Sequence, residues 1–241
     1  MGLYAANFRA VMNARDESVI AARRRKLILG DVDALAIADG RKTQIRWPVA
    51  ASHDQPNARG ASSQIAQQFK DVAPGDRFWG SEAFRVVELF ERTEPGIATR
   101  YFALVEYRCD LTQAKVEITA PQFRRQEASR RRGWIAARLM PLWASRFEVV
   151  AETVRVEPTW DISEADAIAQ GARKFTDLPD AHSGQVYWSV PTPSSVHECL
   201  PSAQFAFAND LCKQHSGASD LELWDRNVAL CVVRFNVSRS E

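Results

Sequence analysis

Between Gly40 and Pro48 the chain carries Arg41, Lys42 and Arg46, the polar side chains of Thr43 and Gln44, and the ring of Trp47. Arginine offers a planar fork of donors and lysine a mobile point charge, so the segment suits an anionic or planar ligand. Lys42 is the candidate general base or nucleophile here, a role that needs desolvation to lower its pKa. Thr43 can orient a ligand or simply bond backbone. Trp47 beside Arg46, and Trp143 close to Arg146, are candidates for stacking on bases. Each has an ordinary alternative. Charged turns are common on surfaces, lysines are usually solvated, and tryptophans usually pack in cores.

Other reactive constellations are missing from the sequence. His53, His182, His197 and His215 form no HxH, HExxH or HxxE arrangement, so no catalytic zinc is expected. Cys109, Cys199, Cys212 and Cys231 make no CxxC pair and no disulfide framework, which points to reduced thiols and a cytoplasmic protein. No GxSxG elbow, GxxxxGK[ST] loop or GxGxxG turn occurs, so neither a nucleophile elbow nor nucleotide binding by those modes is expected. No cofactor is called for.

The elements that must hold these residues follow from local signals. Leu27-Ile28-Leu29 before Gly30 reads as a buried strand. Asp31 then caps a helix through Val32, Leu35 and Ala36, and Gly40 ends it in the left-handed position. Arg41 to Arg46 therefore lie on the exit from a strand–helix unit. Pro74-Gly75-Asp76 is a turn leading into a strand at Arg77-Phe78-Trp79. Strand-like segments at 84–89 and 101–107 flank a hairpin loop at 92–96. The Arg-rich stretch 121–133 reads as exposed. The alternation over 146–156 gives the clearest strand, followed by a helix capped by Asp161 or Ser163 and terminated by Gly171. A helix over 205–212 and a strand over 228–237 complete the order. Helices and strands do not alternate regularly, so a mixed α+β barrel fits better than a doubly wound parallel sheet. Residues 1–26 read as an N-terminal extension in which Met12 is an alternative start. Residues 27–237 read as one domain with loop insertions near 50–68 and 176–202.

Composition is that of an ordinary globular chain: 241 residues, 46% hydrophobic and 25% charged. A net charge of +1 gives no bulk argument for nucleic acid. Basic runs at 23–26 and 124–138 still provide local surfaces able to track phosphates. No run of about 18 apolar residues predicts a membrane span, and the start shows no secretory signal pattern.

Several blocks together resemble the ASCH family of PUA-like proteins, in its phage and prophage form. Gly40-Arg41-Lys42-Thr43-Gln44-Ile45-Arg46 is similar to the GRKTxTxR signature. Ala73 to Trp79 resembles a PGDRLW strand start, and Met140 to Arg146 an MPRWASR segment. Val154-Arg155-Val156-Glu157 with the 161–167 stretch resembles a VRVE…DISEEDA strand and helix. Trp224-Asp225-Arg226-Asn227 with Val232-Val233-Arg234-Phe235 resembles the closing WDxNP…VVEF. The resemblance implies a PUA-like mixed β-barrel with flanking helices. It implies a cleft that binds RNA, single-stranded nucleic acid or a modified nucleoside. By that resemblance, ligand-binding residues are Arg41, Lys42, Thr43, Arg46, Trp47, Trp143, Arg146 and Gln170, with Lys42 the catalytic candidate.

One ASCH enzyme type is a 4-acetylcytidine amidohydrolase that uses a Lys, a Thr and a Glu. Carried onto this chain, the Lys is Lys42, while Ile45 stands at the Thr position and Gln170 at the Glu position. Isoleucine has no hydroxyl to relay a proton, and glutamine cannot accept and return one as a carboxylate does. Glu164 and Asp166 lie on the same helix as Gln170, and Asp166, four residues before it on the same face, is a candidate for a relocated carboxylate. The resemblance therefore points to binding without competent hydrolysis. Two alternatives stay open: an amidohydrolase or ribonuclease using Lys42, and a structural or partner-binding prophage protein.

Overall fold

The computed structural model describes residues 25–48, 72–96, 98–129, 133–182, 184–215 and 222–239. In chain order the elements begin with β1 (Arg25–Ile28), α1 (Asp31–Ala38), β2 (Gln44–Pro48) and β3 (Arg77–Ser81). There follow β4 (Phe84–Arg92), β5 (Arg100–Tyr107), β6 (Gln113–Ile118), α2 (Ala120–Ser129), β7 (Phe147–Pro158) and α3 (Glu164–Ala169). The last are β8 (Arg173–Phe175), β9 (Tyr187–Ser189), α4 (Ala203–His215), α5 (Glu222–Asp225) and β10 (Ala229–Arg239). The chain is thus mixed α+β. Residues 1–24, the expected insertion near 50–68 and Arg130 to Arg132 lie outside the described residues.

The described chain divides into two compact units, one built around 36–78 and 149–237, the other around 26–35 and 79–148. In the first unit β10 lies between β7 and β2. It pairs with β2 antiparallel, placing Val233 opposite Ile45 and Cys231 opposite Trp47. Leu230, Val232 and Phe207 join Ile162, Ala167, Val190 and Leu211 in one apolar cluster. Cys231, Val233 and Phe235 are also buried, so β10 is covered on both faces, as its unbroken apolar run requires. Burial pushes the Cys231 thiol up to about 12. Ser163 caps α3 by accepting from the Asp166 N–H at 3.0 Å. Gly171, at φ +111°, ends that helix where a side chain would be strained.

In the second unit β4, β5 and β6 form an antiparallel sheet in that order, with a register shift between Val86 and Glu88. One face packs Phe84, Ala103, Val105, Tyr107 and Ile118 against Met140 and Ala144. Trp143 is half-buried against the same cluster. Tyr107 donates to the Ala144 carbonyl oxygen at 3.0 Å, and burial raises its pKa.

Two expectations need correction. Arg25 and Lys26 belong to β1 rather than to an extension, because Lys26 is anchored on the Arg138 and Met140 carbonyl oxygens at 2.6 and 2.9 Å. The supposed loop at 176–202 contains β9, which pairs with β8. The described part of the Arg-rich segment is exposed as expected: it forms α2, which has no buried residue. Strand β6 gave little signal because one inward position is only an alanine, Ala114.

Candidate functional site

The exit from α1 is built as its residues dictate. Gly40 takes φ +71°, and the N–H groups of Arg41 and Lys42 both return to the Ala36 carbonyl oxygen. The chain then runs into β2, and the Thr43 N–H donates to the Ala169 carbonyl oxygen at 2.9 Å. This joins the 41–43 turn to the end of α3. Arg41 strengthens the joint by donating Nη1 to the Gly171 carbonyl oxygen at 3.3 Å. Lys42 and Gln170 are both buried in this unit, at 5% and 4% exposure.

Gln170 has a definite task. With its amide set so that donors meet acceptors, its nitrogen donates to the Gln44 carbonyl oxygen at 3.3 Å. Its oxygen accepts from the Arg46 N–H and Nη1, each at 3.2 Å. The side chain thus satisfies the outer edge of β2 as a neighbouring strand would. Ile45 lies between Gln44 and Arg46 on the strand, so its side chain takes the opposite face. Ile45 therefore faces away from Arg46, and the Gln170 amide is engaged by the backbone of β2 and by the Arg46 guanidinium.

Below the joint lies an ionic network. Arg46, its side chain fully buried, reaches Glu157 Oε1 with Nε at 2.9 Å and Nη2 at 2.6 Å. Its Nη2 also stands 3.2 Å from Asp166 Oδ1. Arg155 bridges the same two carboxylates, at 2.8 Å to Glu157 and 3.2 Å to Asp166. Gln44 Nε2 donates to Asp166 Oδ1 at 2.9 Å, and Ser163 Oγ to Oδ2 at 2.8 Å. Burial opposes ionisation of Asp166, but the bonds from Gln44 and Ser163 and the Arg46 charge outweigh it. They hold this carboxyl far below the usual range. The Arg46 guanidinium also sits 5.8 Å from the centre of the Phe207 ring. Gln44 Oε1 is buried and accepts no hydrogen bond among the described residues.

Of the residues expected to bind, Arg41, Thr43, Arg46 and Gln170 are brought together with Lys42's segment. Trp47 is buried at 3% exposure, so its ring is a core element and not a free stacking platform. Trp143 and Arg146 belong to the second unit. There Arg146 forks onto Glu82, with Nε to Oε1 at 2.8 Å and Nη2 to Oε2 at 2.9 Å, and reaches Asp110 at 2.8 Å. Glu82 has no exposed side-chain surface, and burial raises its pKa despite Arg146. Cys109 donates to Glu82 at 3.2 Å, and its thiol is pushed up by burial and by that carboxylate. Arg146 is thus fully engaged within the protein.

Sequence reasoning missed Arg155, Glu157 and Arg173 as neighbours of this site. Only the pairing of β2 with β10, and the docking of α3 beside it, makes them neighbours. No group of three or more metal-binding side chains occurs among the described residues. No helix among them is long and apolar enough to cross a membrane. No protein-family model, curated protein or solved structure matches the chain.

Proposed function

We propose that this is an ASCH-like, PUA-like protein, of the phage and prophage type, that binds RNA, single-stranded nucleic acid or a modified nucleoside. The ligand is taken where the 41–43 turn meets the end of α3, and the protein is not a competent amidohydrolase. The observation that carries this reading is the polar joint itself. The Thr43 N–H is tied to Ala169, with Lys42 and Gln170 buried on either side and Arg41 partly exposed. Cationic groups at a low-dielectric joint act more strongly on an anionic or polar ligand than the same groups in water.

Three features weigh against hydrolysis. The Gln170 amide is committed to the edge of β2, and Ile45 has no hydroxyl. Asp166, the alternative carboxylate, is held ionised by its donors and so is a poor proton donor at neutral pH. The test uses purified protein with 4-acetylcytidine and with short RNA. No deacetylation is expected, and RNA binding should weaken with salt and in Arg41→Ala. Turnover that disappears in Lys42→Ala would overturn the reading.

A further inference from the structure

Arg41 and Arg173 stand on the two segments that meet at the end of α3. Asp39 accepts from Nε and Nη2 of Arg41 at 3.2 and 3.0 Å, while Nη1 goes to Gly171. Arg173 makes no salt bridge to a carboxylate among the described residues. Its Nη2 donates to Thr192 Oγ1, and its guanidinium lies 4.6 Å from the centre of the Phe175 ring. Its Nε–H is buried and has no hydrogen-bond acceptor among the described residues. Burial first, and then the Arg41 charge, hold Arg173 below the ordinary arginine pKa, with Asp39 acting in the opposite direction.

Arg41 bonds the Gly171 carbonyl oxygen two residues before Arg173, so the two cations share one neighbourhood; like charges there are unfavourable, and so is a buried donor without an acceptor. No hydrogen bond among the described residues answers the Nε–H. An oxyanion answers both costs at once, because its oxygens accept from guanidinium forks and its charge screens the two cations from each other.

We propose that Arg41 and Arg173 together form a phosphate site, so that the ligand is a phosphorylated one, a nucleotide or an RNA phosphate, rather than a free nucleoside. The class of ligand rests on the binding reading above; the phosphate site stands on the arginine pair itself.

Inorganic phosphate is titrated at constant ionic strength, with the arginine Nε–H resonances followed by NMR. A saturable shift of the Arg173 Nε–H is expected. Phosphate affinity should fall about tenfold or more in Arg173→Gln, which keeps a donor for Thr192, and in Arg41→Gln. No saturable response beyond a chloride control, or unchanged affinity in both variants, overturns the site. Cytidine, cytidine 5′-monophosphate and a short RNA lacking a terminal phosphate then separate the sources. A gain for the monophosphate over cytidine that Arg173→Gln removes assigns a terminal phosphate. Sensitivity of the unphosphorylated RNA to Arg173→Gln assigns a backbone phosphate. RNA binding that weakens in Arg41→Gln but is indifferent to Arg173→Gln sinks the phosphate site and leaves the binding reading intact. Phosphate binding with no affinity for nucleoside or RNA does the reverse.

Discussion

Replacing Arg46 by methionine removes a guanidinium whose side chain is fully buried and keeps most of its volume. Lost with it are two charge-assisted bonds to Glu157, at 2.9 and 2.6 Å, and the 3.2 Å contact with Asp166. Breaking a buried ion pair from one side costs about 3–5 kcal/mol, mostly because the remaining charge is left buried and unpaired. Here Arg155 still holds both carboxylates, and they are 15% and 22% exposed, so the lower end applies. A loss of about 3 kcal/mol is expected, or a fall in Tm of roughly 6–12 °C for a chain of this size. Arg46→Lys keeps the charge but not the planar fork, and should lose about half as much. Denaturant melts of both variants and of Arg46→Met/Glu157→Gln give the coupling between the partners.

The acid limb gives a second readout of the same network. The folded Asp166 carboxyl lies below its ordinary 3.8, so its contribution is complete above about pH 4 and is lost as pH falls from there. Arg46→Met removes one cause of that depression, so its stability should fall less steeply below pH 4. A loss under about 1 kcal/mol, or additive effects of Arg46→Met and Glu157→Gln, would refute the reasoning. The network also warns against using Arg46 to test ligand binding, since any loss there would be inseparable from the loss of structure.

Further outcomes concern the second unit. Leu111 adopts φ +57° while 64% exposed, so Leu111→Gly should relieve backbone strain and raise stability by about 0.5–1 kcal/mol in thermal melts. A Cβ on Gly80 would meet Phe147 Cβ at 2.9 Å and Cδ2 at 3.0 Å, so Gly80→Ala should destabilise. The expected cost is about 1–3 kcal/mol by chemical denaturation, and an unchanged midpoint would show that β3 yields more easily than its packing suggests.

Much of the local structure was legible in the sequence because short-range chemistry fixes it. Gly40 and Gly171 end helices at positive φ, Ser163 caps α3, and Pro74-Gly75 makes the turn before β3. The apolar run from Leu230 to Val233 specified a strand buried on both faces. The Lys42–Thr43 turn and Gln170 could be singled out as belonging together by resemblance, and the Thr43–Ala169 bond joins their segments. What each cation does was not legible. Arg41, Arg46 and Arg146 look alike in the sequence, yet Arg46 and Arg146 are consumed by carboxylates far along the chain while Arg41 stays partly exposed. Trp47 became a core residue only because β2 pairs with β10. Arg173, which no motif marked, acquires its unanswered N–H only when β8 leaves α3 beside the Arg41 turn. Residue type sets what a side chain can do, but its charge state and free donors depend on neighbours that only long-range packing supplies.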